Sequence, residues 1–345
     1  MRRLLLWSFV AMSLVAAGAA FAARHEPIAR WLLQWKTPQL RVPEGWPQPV
    51  YDAQDNPITR AGFELGRKLF YDPQLSIDGS VSCASCHQQF AAFAHYDHAL
   101  SHGLGGVNGT RNAPALFNLA WQRSFMWDGA VTHLELQPLA PLGNPVEMGE
   151  TLPHVLEKLR ADAAYAPLFE AAFGTLAIDS QHFLRSLAQF LSTLISDQSR
   201  YDRVIAGRQS FSAEQARGLD VYRARCAGCH AEPLFTDGAF HRNGIASDDL
   251  GRSAISGDAQ DRGRMRTPSL RNLANSGPYM HDGRFDTLEQ VLAHYAHGIR
   301  DAASQDALLE PASRLKDEEI GDLLAFLDTL NDEKFLDDPR FAEPR

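Results

Sequence analysis

Cys83-Ala84-Ser85-Cys86-His87 decides how this chain is read, and Cys226-Ala227-Gly228-Cys229-His230 repeats the pattern. These four cysteines are the only ones in the sequence. Two thiols three positions apart can each form a thioether to one vinyl group of a haem. The histidine that follows then lies under the porphyrin and ligates the iron. C-x-x-C-H is the pattern of c-type haem attachment, with imidazole as the usual proximal ligand. Other cysteine chemistry fits less well. Zinc ribbons place their second pair about 15–20 residues from the first, and here the gap is far longer. A redox dithiol has no need of histidine in the next position twice over. With no cysteine left for a disulfide, the sequence specifies two covalent haem c groups. One is held by Cys83, Cys86 and His87, the other by Cys226, Cys229 and His230.

The 345 residues exceed the usual span of one domain, about 100–200, so two domains are expected. Hydrophobic content of 45 % suffices for packed cores, and the formal net charge of -9 argues against a nucleic-acid partner. Arg2 and Arg3 precede an apolar run from Leu4 to Phe21 that ends in Ala20-Phe21-Ala22, an A-x-A cleavage pattern. Residues 1–22 therefore read as a secretory signal peptide. The alternative is an uncleaved N-terminal membrane anchor, since the run is nearly long enough to span a bilayer. Either way the body is exported to the periplasm, the side of the bacterial membrane on which haem c is attached.

Residues 23–57 are rich in Pro and Trp and form an extension without a sustained period. The body begins near Thr59, where Phe63, Leu65, Leu69 and Phe70 follow helical spacing before Asp72-Pro73. A polar, Gly-rich segment from His95 to Gly109 carries His95, His98 and His102 and is expected to be a mobile loop. After it comes a segment with a twin: Ala113–Gln137 aligns without gaps on Thr267–Val291. Pro114/Pro268, Leu116/Leu270, Asn118/Asn272, Met126/Met280, Asp128/Asp282, Gly129/Gly283 and Glu135/Glu289 coincide. Each copy lies downstream of its own haem motif. Between them, helices are expected over about His154–Phe173 and Gln181–Ile195. Ser212 with Gln215, and Thr287 with Gln290, form capping boxes that open two more, and a last helix covers about Lys316–Leu330. The fold class is mainly α: two tandem class I cytochrome c-like domains related by duplication. They cover 58–205 and 206–345, with the boundary in the polar stretch Ser199–Ser210.

Several motifs together resemble the bacterial di-haem cytochrome c peroxidases and their MauG relatives, over roughly Gly62 to Phe335. They are Leu65-Gly66-Arg67-Lys68-Leu69-Phe70, Arg111-Asn112-Ala113-Pro114, Trp127-Asp128-Gly129, Asn144-Pro145-Val146-Glu147-Met148, Thr267-Pro268-Ser269-Leu270-Arg271-Asn272 and Pro278-Tyr279-Met280-His281-Asp282-Gly283. The resemblance implies that the N-terminal haem reacts with hydrogen peroxide and the C-terminal haem transfers electrons. It puts Glu147 in the role of distal acid/base and Gln137 beside it. Read without the resemblance, Glu147 is a surface carboxylate. Trp127 aligns with the family's inter-haem tryptophan, a relay, although a lone tryptophan is ordinarily a core residue. His102 matches the loop histidine that ligates the reactive haem in classical members, against a solvated loop histidine as the plain reading. His95 and His98 are taken as solvated or structural.

The second haem sets the subtype. Classical members ligate it with methionine, whose thioether raises the potential. Here Tyr295 occupies that position, as in MauG, and its oxygen favours the higher oxidation states of iron. His294, His297 and Met280 are the competing ligands, and a tyrosine on an apolar helix face also reads as core. The resemblance further implies a Ca2+ between the domains, held by Asn112, Ser276 and Pro278. Implied partners are a small cytochrome c or cupredoxin donor, or a protein substrate oxidised MauG-fashion. Classical members are often dimers, so a homodimer is a further implication. A non-enzymatic di-haem electron carrier is the rival, and it would have no use for Glu147.

Overall fold

The computed structural model describes residues 40–299 and 306–344. The signal segment and residues 23–39 of the extension lie outside them. Leu40–Arg345 cluster as one compact unit. The longer helices are α1 (Arg60–Tyr71), α2 (Leu152–Ala161), α3 (Tyr165–Phe173), α4 (Ser180–Ser192), α5 (Arg200–Ile205), α6 (Ala213–Arg225), α7 (Leu288–Ala293) and α8 (Asp317–Asp328). The described residues add one antiparallel ribbon, β1 (Phe240–His241) with β2 (Met265–Arg266). Among them, no helix is long and apolar enough to cross a membrane.

Local chemistry sets most helix ends. Thr59 caps α1 by accepting from the Gly62 amide, and Ser212 and Thr287 open α6 and α7 with the expected capping boxes. The single helix expected over His154–Phe173 is two, α2 and α3. Its break is at Asp162, whose carboxylate accepts from the Ala164 amide (2.9 Å) and whose carbonyl accepts from the Tyr165 amide (3.1 Å). A side chain that bonds the backbone two residues on offers the chain a turn in place of the helix.

The two halves repeat one packing plan. α1 crosses α4 at Gly66, where an added Cβ would overlap the Ser186 carbonyl oxygen. In the second half α6 crosses α8 at Gly218, where a Cβ would overlap the Asp322 carbonyl oxygen. Glycine is required at both because backbone meets backbone. Around the first crossing Phe63, Phe70, Phe93 and Phe190 form an aromatic core, with Phe70 and Phe190 centroids 5.2 Å apart. The chain end returns to this core: Phe335 lies 5.8 Å from Phe93 and 5.7 Å from Phe341. Around the second crossing Tyr201, Leu219, Tyr222, Phe235, Leu323 and Phe326 are buried together.

The twin segments share their backbone path as well as their letters. Asn118 and Asn272 have φ of 55° and 59°, and Met126 and Met280 have φ of 66° and 75°. Left-handed backbone is rare away from glycine, so matched pairs mark a repeated trace. A bridge pairs Phe125 with Val131, and another pairs Tyr279 with Phe285. Both asparagines converge on Ser196. Asn118 accepts from its amide (2.9 Å) and donates to its carbonyl (3.2 Å), while Asn272 donates to its hydroxyl (3.0 Å).

Candidate functional site

Each haem motif folds so that its histidine is a ready ligand. Cys83–Cys86 form one helical turn, opened by a Ser82–Ser85 capping box. His87 Nδ1 faces the Phe93 carbonyl at 2.8 Å. A carbonyl only accepts, so Nδ1 carries the hydrogen and Nε2 keeps its lone pair. Burial pushes His87 down to about 4, which leaves it neutral at pH 7. His230 is arranged alike, with Nδ1 3.2 Å from the Phe235 carbonyl and 3.1 Å from that of Pro268, and burial lowers its pKa too. The carbonyl partner is in left-handed backbone in both halves, Phe93 at φ 57° and Phe235 at 56°.

On the second side Cys226, Cys229, His230 and Tyr295 line one crevice of about 720 Å³, walled by leucines that include Leu270 and Leu292. Apolar walls, a cysteine pair and a neutral imidazole are the donor set and cradle that a haem c requires. Tyr295 lies in a π-helical turn (His294–Gly298) that continues α7, a distortion frequent at functional sites. Burial, then the nearby sulfurs of Cys226 and Cys229, hold its phenol above the ordinary range. Its competitors are engaged elsewhere. His294 Nε2 contacts the Asn243 carbonyl at 2.9 Å, His297 Nε2 contacts Asp317 at 2.8 Å, and Met280 lines a different cavity.

On the first side Glu147 follows a short helix, Leu139–Gly143, with Gln137 just before that helix. Asn144 Nδ2 donates to Glu147 Oε1 at 2.9 Å. Burial raises the Glu147 pKa, and the Asn144 bond opposes this only in part. Burial, and then the nearby Glu147 carboxyl, push the Cys86 thiol up to about 11. Gln137 Nε2 lies 3.8 Å from Met126 Sδ. His102 has its carbonyl 3.4 Å from Cys86 Sγ, while its ring packs with those of His95 and His98.

Between the two sides, Asn112, Trp127, Arg266, Ser276, Pro278 and Met280 line a cavity of about 640 Å³. Trp127, 9 % exposed, donates through Nε1 to the Asn112 carbonyl at 2.8 Å, and the Asn112 amide donates to the His281 carbonyl at 2.7 Å. The aligned pair Trp127 and His281 thus meets at one residue, Asn112. The three residues expected at calcium are brought into this one cavity, and Asn112 Nδ2 is committed to the Ala99 carbonyl (3.1 Å). Arg266 was missed in the sequence. It is buried, burial pushes it down to about 10, and no carboxylate among the described residues pairs with it. A buried guanidinium without a counter-charge is costly. Haem propionates would supply that charge, so the cavity also fits the cofactor. Its place as the residue before Thr267, opposite Asn112 in the alignment, carries no local mark of burial.

Residues 60–210 match the family model for di-haem cytochrome c peroxidase, and residues 215–331 match that for cytochrome c. The methylamine utilization protein MauG of Methylorubrum extorquens is 39 % identical over 86 % of this chain and 84 % of its own length. The cytochrome c551 peroxidase of Nitrosomonas europaea is 28 % identical over 81 % of this chain and 82 % of its own. Among solved structures, a MauG-like protein associated with microbial copper homeostasis superposes with a TM-score of 0.78 at 34 % identity, covering 88 % of this chain and 98 % of that one.

Proposed function

This chain belongs to the di-haem cytochrome c peroxidase/MauG family of oxidoreductases, and on that premise we propose that it is an exported enzyme that reduces hydrogen peroxide at its first haem. The observation that carries this is Glu147, a raised-pKa carboxyl fixed by Asn144 beside Cys86. The haems supply the redox chemistry, one reducing peroxide and the other exchanging electrons with a partner. Glu147 moves a proton from one peroxide oxygen to the other, so that the O–O bond breaks with water as the leaving group. Two electrons and two protons convert each peroxide to two waters. Gln137 orients the substrate. Trp127 lies between the two halves and serves as the electron relay, its indole fixed by the Asn112 carbonyl. Asn112, Ser276 and Pro278 hold Ca2+ in the shared cavity, oxygen donors suiting a hard cation. A small cytochrome c or cupredoxin supplies the electrons in the periplasm.

Tyr295 favours a second reading, in which the oxidising equivalents end on a side chain of a partner protein. Its phenol is the one competitor that shares the crevice of Cys226, Cys229 and His230. The test is anaerobic addition of peroxide to the holoenzyme with a reduced small cytochrome c. Oxidation of two cytochromes per peroxide supports the peroxidase. Peroxide consumption that leaves the cytochrome reduced supports protein oxidation, and no consumption overturns both.

A further inference from the structure

From sequence, His95 and His98 are solvated or structural, and His102 is a solvated loop histidine or a haem ligand. Folded, they face one another. One ring nitrogen of each lies within 4.8 Å of one from each of the others. The ring centroids form a near-regular triangle of 5.1, 5.2 and 5.0 Å. We propose that these three imidazoles bind a single borderline divalent metal ion of the copper or zinc class, distinct from both haem irons and from the calcium position.

Four observations carry this. First, the ligand type is uniform: three imidazoles with no thiolate and no carboxylate among the ligating atoms select copper, zinc or nickel over calcium and magnesium. Second, His95 is 1 % exposed, and its buried Nδ1 has no hydrogen-bond partner among the described residues, so its ring keeps a nitrogen free for an ion. Third, His98 has the support that metal-bound histidines have. Its Nδ1 pairs with the Asp97 carboxylate and lies 3.2 Å from the Tyr96 carbonyl, leaving Nε2 for the ion. Fourth, the backbone that carries the outer ligands is pinned. His95 follows Ala94, which is bridged to Gln88, and His102 is bridged to Asn108. The Ser101 amide donates to the Arg111 carbonyl at 3.2 Å, and Gly103 packs so closely on the Glu147 backbone that no side chain fits. Nitrogens around one ion at 2.0–2.1 Å stand about 3.4 Å apart, so small ring rotations close the site.

One face of the triangle is open to solvent through the exposed His98, while His95 forms its floor. An ion there also occupies the ring of His102 and withholds it from the first haem. The inference stands whether or not the protein reduces peroxide.

The test uses the full holoprotein, exposed to excess copper(II) sulfate or zinc sulfate, desalted, and assayed for metal. The expected result is one copper or zinc per chain beyond the two haem irons, with nitrogen splittings in the copper EPR signal. His98→Ala should abolish binding, and Asp97→Asn should weaken it about 10–100-fold. Both residues are exposed, and an unchanged haem spectrum controls for folding. No metal above the haem iron, or equal binding by His98→Ala, would overturn the site.

Discussion

The two halves of this molecule use one backbone for two environments. Both place a neutral histidine over a left-handed phenylalanine carbonyl, both cross helices at a glycine, and both repeat the Asn, Met and Gly left-handed positions. They differ in what the frame presents. The first half offers a half-buried carboxyl, Glu147, and the second a half-buried phenol, Tyr295. At the twin position between them stand Trp127 and His281. A repeated frame thus orients both histidines alike, and the chemistry proposed for each half rests on the few side chains that differ.

The largest expected effect is on the first half's chemistry alone. Glu147→Gln should lower peroxide turnover about 10²–10⁴-fold, the usual range for a lost general acid/base, with both haem spectra unchanged. An equally active variant would remove Glu147 from the mechanism. The raised carboxyl should also give wild-type turnover an acid limb displaced above the ordinary carboxylate range. The variant should lack that limb.

A second difference lies in the cores. Where the first half has Phe117, the second has Arg271, 0 % exposed and paired with Asp202 through two bonds of 2.8 Å. Arg271→Met leaves Asp202 buried and uncompensated, and should cost about 3–5 kcal/mol in denaturant unfolding. A loss below about 1 kcal/mol would show that water reaches the carboxylate.

The shared frame makes a matched prediction. Gly66→Ala and Gly218→Ala each force a methyl against a carbonyl oxygen, and each should destabilise by about 1–3 kcal/mol. Widely different losses would mean that the crossings are not equivalent.

The smallest effect concerns the contact across the halves. Arg111 bonds Asp249 (2.8 Å) and Asp128 (2.6 Å), and the Arg111 hydrogen bond is the main cause that holds the Asp249 pKa low. A depressed folded pKa means that this stabilisation is fully present above the unfolded value, about 3.9. It fades as pH falls through the lower, folded one. Thermal unfolding of Asp249→Asn should therefore differ from wild type at pH 7 and converge with it in acid. A difference that grows in acid would contradict the pairing.

What could be read from sequence was local or repeated. The haem motifs, the capping boxes of Ser212 and Thr287 and the twin segment each depend on residues a few positions apart, or on an alignment of the chain with itself. What escaped depends on the folded neighbourhood. Arg266 is buried by residues far away in the chain, and the three histidines meet only when their loop folds back through the His102–Asn108 bridge. The turn at Asp162 was missed for another reason. Alanines on both sides kept the helical pattern running through a residue whose side chain stops it.

Ligation of the second haem by Tyr295 is the claim on which the contrast between the halves depends. Low-temperature EPR of the oxidised holoprotein beside Tyr295→Phe tests it directly. Tyrosine ligation predicts that the substitution changes the low-spin signal of the second haem and leaves the first haem's signal as it was. Spectra indifferent to Tyr295→Phe would contradict it.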